Sequence, residues 1–213
     1  MGSTSSYSPV QGATGFSAAA DEHYLPDSIQ RSAKILVTGS FGVGKTTLIG
    51  AVSEISPLRT EELMTTASIG TDDLAGLPGK ETTTVAMDFG RITLTERVVL
   101  YLFGMPGQRR FWNPWAGLAE GAVGALVLVD TRRLEASFGV IDQLELQAEQ
   151  LPFAVAVNAF PGSPRYDEEE LREAMDLLPQ TPVLRCDARD RASSIRALAD
   201  LTGYALTVEK GRP

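Results

Sequence analysis

Gly39-Ser40-Phe41-Gly42-Val43-Gly44-Lys45-Thr46 has the spacing G-x-x-x-x-G-K-[ST], and few eight-residue patterns restrict a fold so tightly. A loop of this kind turns its backbone N–H groups inward around an anion. Glycines are needed where a side chain would block that approach. A helix must open where the loop closes, so that its positive dipole end faces the same anion. The surroundings comply. Lys34-Ile35-Leu36-Val37-Thr38 is a β-rich run that stops at Gly39, and residues 46–55 have helical character. The pattern is a phosphate-binding loop lined by Gly39, Phe41, Gly42, Val43, Gly44, Lys45, Thr46 and Thr47. Lys45 is expected to reach the β- and γ-phosphate oxygens, and the Thr46 hydroxyl to ligate Mg²⁺.

The rest of the chain supplies the elements such a loop requires. Residues 84–94 and 97–103 are β-type runs joined at Thr95-Glu96. Residues 109–121 look helical, 122–129 form an apolar strand fit for burial on both faces, and 133–150 carry apolar residues at helical spacing. Then come a strand at 153–157, a helix at 167–178, a short strand at 183–186 and a last helix at 193–206. This order predicts a three-layer α/β P-loop NTPase with six strands, mostly parallel, and five helices covering both faces. The expected organisation is a flexible Ser/Gly/Ala-rich tail over 1–32, one domain over 33–206, and a C-terminal tail over 207–213.

Composition closes off other chemistries. A formal charge of −8 disfavours a nucleic-acid backbone binder and a basic membrane-surface patch. One cysteine, Cys186, excludes an internal disulfide and a Cys-rich zinc site. His23 is the single histidine, and it lies in the tail. No stretch reaches the about 18 apolar residues of a membrane span. Met1-Gly2 with Ser6 fits a loose myristoylation pattern, but no basic cluster follows to supply a second membrane signal. The chain is expected to be cytoplasmic, without direct membrane insertion.

Further motifs fall where strands end. Thr84-Val85-Ala86-Met87-Asp88-Phe89-Gly90 enters a strand, with Thr82 and Thr83 as rivals of Thr84 for a metal-sensing hydroxyl. Phe103-Gly104-Met105-Pro106-Gly107-Gln108 leaves one, Asn158-Ala159-Phe160-Pro161 another, and Cys186-Asp187-Ala188-Arg189 the last. Together with Ser56-Pro57-Leu58-Arg59-Thr60-Glu61, this set resembles the bacterial Ras-like small GTPases related to the gliding-polarity GTPase, and most of all those encoded in actinobacterial conservons. The resemblance covers about residues 33–206.

What the resemblance implies is a Ras-like G domain acting as a slow, partner-stimulated GTP switch. Its cofactors would be GTP/GDP and Mg²⁺, the metal held by Thr46 and Thr84. Gly107 would donate its amide to the γ-phosphate, and Gln108 would orient the attacking water. Lys45 would stabilise charge on the phosphates, and Arg59 would be an arginine finger in cis or else a surface ion pair with Glu61 or Glu62. Asn158, Asp187 and Ala188 would meet the base, Ala188 through its backbone N–H. A roadblock/LC7-type protein and a sensor-kinase complex are the implied partners, and the latter would recruit the chain to the membrane. Three positions depart from the pattern. Gly104 stands where a metal-assisting Asp belongs, leaving Asp88 or Asp130 to help. Ala159 and Pro161 stand where the base-reading Lys and Asp belong, which opens a second reading as a degenerate interaction module with relaxed nucleotide specificity. An ATP-using P-loop enzyme is a third reading, although no Arg-rich lid is visible.

Overall fold

β1 (Arg31–Gly39) runs through the middle of the sheet because its residues are apolar toward both faces. Ile35 and Val37 pack to one side and Leu36 to the other, as the two-residue period of a strand dictates. The computed structural model describes residues 28–64, 83–107, 117–146 and 151–211, with backbone alone over 58–64 and 83–86. The remaining strands are β2 (Leu58–Met64), β3 (Thr83–Thr95), β4 (Val98–Gly104), β5 (Gly124–Val129), β6 (Phe153–Asn158) and β7 (Val183–Cys186). Their order in the sheet is β2-β3-β4-β1-β5-β6-β7. β4, β1, β5, β6 and β7 are mutually parallel, and β2 and β3 are antiparallel to their neighbours.

All six expected strands are present, and β2 adds a seventh at the edge. The run Leu58 to Met64 has no clean alternation of apolar and polar residues. It becomes a strand by pairing with the long β3, from Leu58↔Phe89 to Met64↔Thr83. Tertiary pairing, rather than local pattern, makes this element.

The helices divide between two faces. α1 (Lys45–Val52) and α4 (Arg191–Lys210) pack through Leu48, Ile49, Ala197, Leu198 and Leu201 onto Leu126, Leu128 and Ala156. On the other face lie a 3₁₀ turn (Leu134–Ser137), α2 (Phe138–Glu145) and α3 (Glu168–Ala174). Their Val140, Ile141, Leu144 and Leu171 meet Val127, Phe153 and Val155. Each large apolar side chain buried in this way contributes about 1.5–3 kcal/mol. Glu168-Glu169-Glu170 serves the start of α3. Asp167 Oδ1 accepts the Glu170 N–H at 2.8 Å, and Glu170 Oε2 accepts the Asp167 N–H at 2.9 Å, a reciprocal cap.

Boundaries differ from expectation in two places. α1 stops at Val52, because Ser53 turns extended and its hydroxyl accepts the Arg91 N–H at 3.2 Å. α4 continues to Lys210, into the stretch expected as a tail. Ala205 is buried just before that stretch, and Lys210 suits the negative end of the helix. The chain is helical at residues 117–119, within the helix expected over 109–121.

The parallel strands end on one side of the sheet, and β1 lies where the connections diverge to left and right. Ligands of open α/β sheets bind at such a point, outside the carboxyl ends of the strands.

Candidate functional site

The phosphate loop has the geometry its glycines allow. Gly39, Gly42 and Gly44 have φ of 135°, 74° and 107°, in the region where a Cβ is strained. Gly39 and Gly44 also have no room for one. At Gly39 a Cβ would lie 2.3 Å from the Leu128 carbonyl oxygen, and at Gly44 it would lie 2.6 Å from Asn158 Nδ2. Val43 is fully buried and anchors the loop in the core, whereas Phe41 is 84% exposed at its apex. The Phe41 carbonyl accepts a bond from Arg133 Nη2 at 3.1 Å. Thr47 is exposed in the first turn of α1.

Lys45 closes the loop on itself. Its ammonium donates to the Gly39 and Ser40 carbonyls, both at 2.9 Å. Burial lowers its pKa to about 8, and the nearby Asp88 carboxylate opposes that shift. A half-buried cation satisfied by two neutral carbonyls is poised to exchange them for an anion.

Beside it, Thr46 Oγ1 donates to Asp88 Oδ2 at 2.5 Å. Asp88 lies on β3, directly opposite Gly104 on β4. A Cβ on Gly104 would come within 2.8 Å of Ile49 Cδ1 and 2.9 Å of Asp88 Cβ. The carboxylate therefore enters from the neighbouring strand, and Gly104 is the space it needs. Asp130 is engaged by Arg132. It is buried at the end of β5, where Arg132 takes both of its oxygens through Nε at 2.9 Å and Nη2 at 2.7 Å. A hydroxyl and a carboxylate fit Mg²⁺, which takes one or two protein oxygens and completes its shell with phosphates and water. Among the described residues, no group of three or more His, Cys, Asp or Glu suited to a metal gathers.

Gly107 packs against the loop: a Cβ there would be 2.6 Å from the Gly39 carbonyl oxygen. The Met105 N–H bonds Val37 O at 2.8 Å and carries the end of β4 to this position. Gln108 lies outside the described residues, as does Thr82. Thr84 is in β3 and Arg59 in β2, where the register sets Arg59 opposite Asp88; the side chains of both lie outside the description.

On the other flank, Asn158 binds two loops together. Its Nδ2 donates to the Val43 carbonyl at 2.9 Å, and its Oδ1 accepts the Ala188 N–H at 2.9 Å. The Ala188 amide, expected to face a base, is thus directed at Asn158. Asp187 binds Arg189 through two parallel bonds of 2.9 Å and also accepts the Arg189 N–H at 3.0 Å. The guanidinium holds the Asp187 carboxyl below its usual range. Arg133 and the cross-strand position of Asp88 carry no motif signal of their own in sequence, and Arg189 was visible only as the end of the Cys186–Arg189 motif.

The model of a family described as conserved hypothetical ATP binding protein matches residues 37–208. The chain belongs to this family. It is also 30% identical over 130 residues to the uncharacterized protein MJ1339 of Methanocaldococcus jannaschii, a match covering 59% of this chain and 68% of that protein. Among solved structures it is similar to the FeoB G domain of Methanococcus jannaschii, with TM-score 0.52 and 16% identity over 84% of this chain and 99% of that one. It is similar as well to the Arl6 small GTPase of Trypanosoma brucei, with TM-score 0.54 and 18% identity over 83% and 99%. The cytosolic domain of T. maritima FeoB gives TM-score 0.55 and 19% identity over 82% and 64%. These likenesses establish a P-loop α/β fold of the G-domain kind for this family member. Among the described residues, no helix is long and apolar enough to cross a membrane.

Proposed function

We propose that this chain is a small GTP-binding protein and a nucleotide-dependent switch with slow GTP hydrolysis. One observation carries the reading. Lys45 and the glycine loop stand between the Thr46–Asp88 pair on one flank and Asn158, which ties the loop to the β7 loop, on the other. Phosphates would replace the Gly39 and Ser40 carbonyls on Lys45 and take the loop N–H groups. Thr46 and Asp88 would hold Mg²⁺, with Thr84 joining from β3. The bound metal supplies charge neutralisation of the β- and γ-phosphate oxygens. Gly107 is seated against Gly39, where its amide would report the γ-phosphate to the segment that follows. Gln108 would orient water, and Arg59 or a partner residue would neutralise charge on the transferring group.

The gliding-polarity and conservon resemblance extends this reading to bacterial signalling, with a roadblock/LC7-type regulator and a sensor-kinase complex as partners. These would bring the chain to the membrane. Domain limits of about 33–206 belong to the same reading. The family description favours a second one, in which the base is adenine. Phosphate release on mixing the full chain with GTP or ATP tests both. Release from GTP that Lys45→Ala abolishes supports the switch. Release from ATP alone transfers the site to adenine, and no release from either leaves an interaction module.

A further inference from the structure

The base end of the site has lost the usual means of reading a purine, since Ala159 and Pro161 have no side chain that accepts a hydrogen bond. Resting on the GTP-binding function proposed above, the polarity of the site says where a replacement must stand. Its metal end is fixed by Thr46 and Asp88, toward β3 and β4. The nucleoside must extend the other way, over the ends of β6 and β7. There a Cβ on Gly44 would lie 2.6 Å from Asn158 Nδ2 and 3.4 Å from Ala188 Cβ. β6 and β7 pair in register through Asn158↔Cys186, and the Ala159 N–H binds Cys186 O at 2.7 Å. Asp187 is therefore the first residue beyond the sheet next to the Ala159–Pro161 loop.

Two described carboxylates stand on this loop. Asp190 is used as the cap of α4, where it accepts the Ser193 N–H at 2.6 Å. Asp187 accepts the Arg189 N–H at 3.0 Å through Oδ1 and also holds a two-donor fork. Arg189 Nε lies on Oδ1 and Nη2 on Oδ2, each at 2.9 Å. That fork is N–C–N with both hydrogens pointing one way. Guanine presents the same fork on one edge, N1–H and N2–H joined through C2. Adenine presents an acceptor at N1 and cannot imitate it. The Arg189 side chain is 60% exposed and the Asp187 side chain 34%, so the guanidinium can leave without opening the core.

We infer that Asp187 is the guanine-reading residue of this chain, and that Arg189 occupies its carboxylate until the N1–H and N2–H donors of a guanine nucleotide displace it. Asn158 positions the pair by fixing residue 188 to the phosphate loop.

The test titrates the full chain with GDP, IDP, XDP and ADP in excess Mg²⁺, by calorimetry. Wild type is expected to bind GDP about 10-fold more tightly than IDP, which lacks the N2 donor, and about 100-fold more tightly than ADP. Asp187→Asn replaces one acceptor by a donor, which matches xanthine, whose C2 carries an oxygen. This variant is expected to prefer XDP to GDP by about 10-fold, an inversion that general damage to the site does not produce. Arg189→Ala is expected to keep the preference for GDP and to bind it at least as tightly as wild type. Asp187 is overturned as the reader if wild type fails to separate GDP from IDP, or if Asp187→Asn keeps preferring GDP. Should Asp187→Asn fail to fold, Asp187→Ala and the wild-type GDP/IDP ratio decide: a GDP preference that survives in Asp187→Ala overturns the proposal. Weaker GDP binding in Arg189→Ala overturns the displacement. If wild type binds none of the four, the GTP-binding function itself fails, a result distinct from the others.

Discussion

Replacing Asn158 by Ala should unlock the phosphate loop from the base-side loop. The amide makes two buried bonds of 2.9 Å, one to the Val43 carbonyl and one from the Ala188 N–H. Both partners are within 1% of full burial. After truncation neither reaches water, so each bears the cost of an unmade bond, about 1–3 kcal/mol. The sum is about 2–6 kcal/mol, less whatever relaxation of Gly44 recovers. For a domain of this length each kcal/mol lowers Tm by about 2–4 °C, so a fall of roughly 5–20 °C is expected. Urea denaturation followed by circular dichroism measures the free energy, and Asn158→Asp provides a control. The carboxylate still accepts from Ala188 but turns an oxygen toward Val43 O, so it should not rescue stability at neutral pH. A loss under about 0.5 kcal/mol for Asn158→Ala would refute the brace, because it would mean that these buried groups find other partners.

Other consequences follow from the same contacts. Gly104→Asp, which restores the expected residue at that position, should destabilise by about 1–3 kcal/mol, because its Cβ meets Ile49 and Asp88; chemical denaturation checks this, and a neutral result would contradict the cross-strand account. Asp88→Ala should weaken nucleotide binding far more with Mg²⁺ than without it, read as the ratio of Kd values in the two conditions. The Lys45 pKa of about 8 lies below the unfolded value, so the folded state binds fewer protons between about pH 8 and 10.4 and stability should rise with pH there. Lys45→Met should flatten that rise in a series of melts. Asp130 is held below its ordinary range first by its Arg132 hydrogen bond, so its contribution is full above the unfolded pKa of about 3.9 and fades as pH falls below it. Asp130→Asn should therefore lose less stability than wild type on acidification below about pH 4.

The phosphate loop was legible because everything that defines it is local: glycine spacing, one lysine, a strand before and a helix after. The sheet was legible from the apolar runs at 124–129 and 153–158, which need cover on both faces. β2 was not, since Leu58 to Met64 has no face of its own and pairs because β3 offers an edge. The carboxylate beside Thr46 had two candidates in sequence, Asp88 and Asp130, and cross-strand register decides between them. Asp88 faces Gly104, while Asp130 is taken by Arg132. Asn158 was visible as a motif residue, yet its two bonds reach residues far away along the chain. The Asp187–Arg189 fork is local, but its meaning needs β6 beside β7.

The central claim is tested most directly by calorimetric titration of the purified chain with GDP, GTP, ADP and ATP, with and without Mg²⁺. Binding of GDP and GTP in preference to ADP and ATP, with Mg²⁺ tightening the triphosphate, is the predicted result. Equal binding of all four, or none, would contradict it.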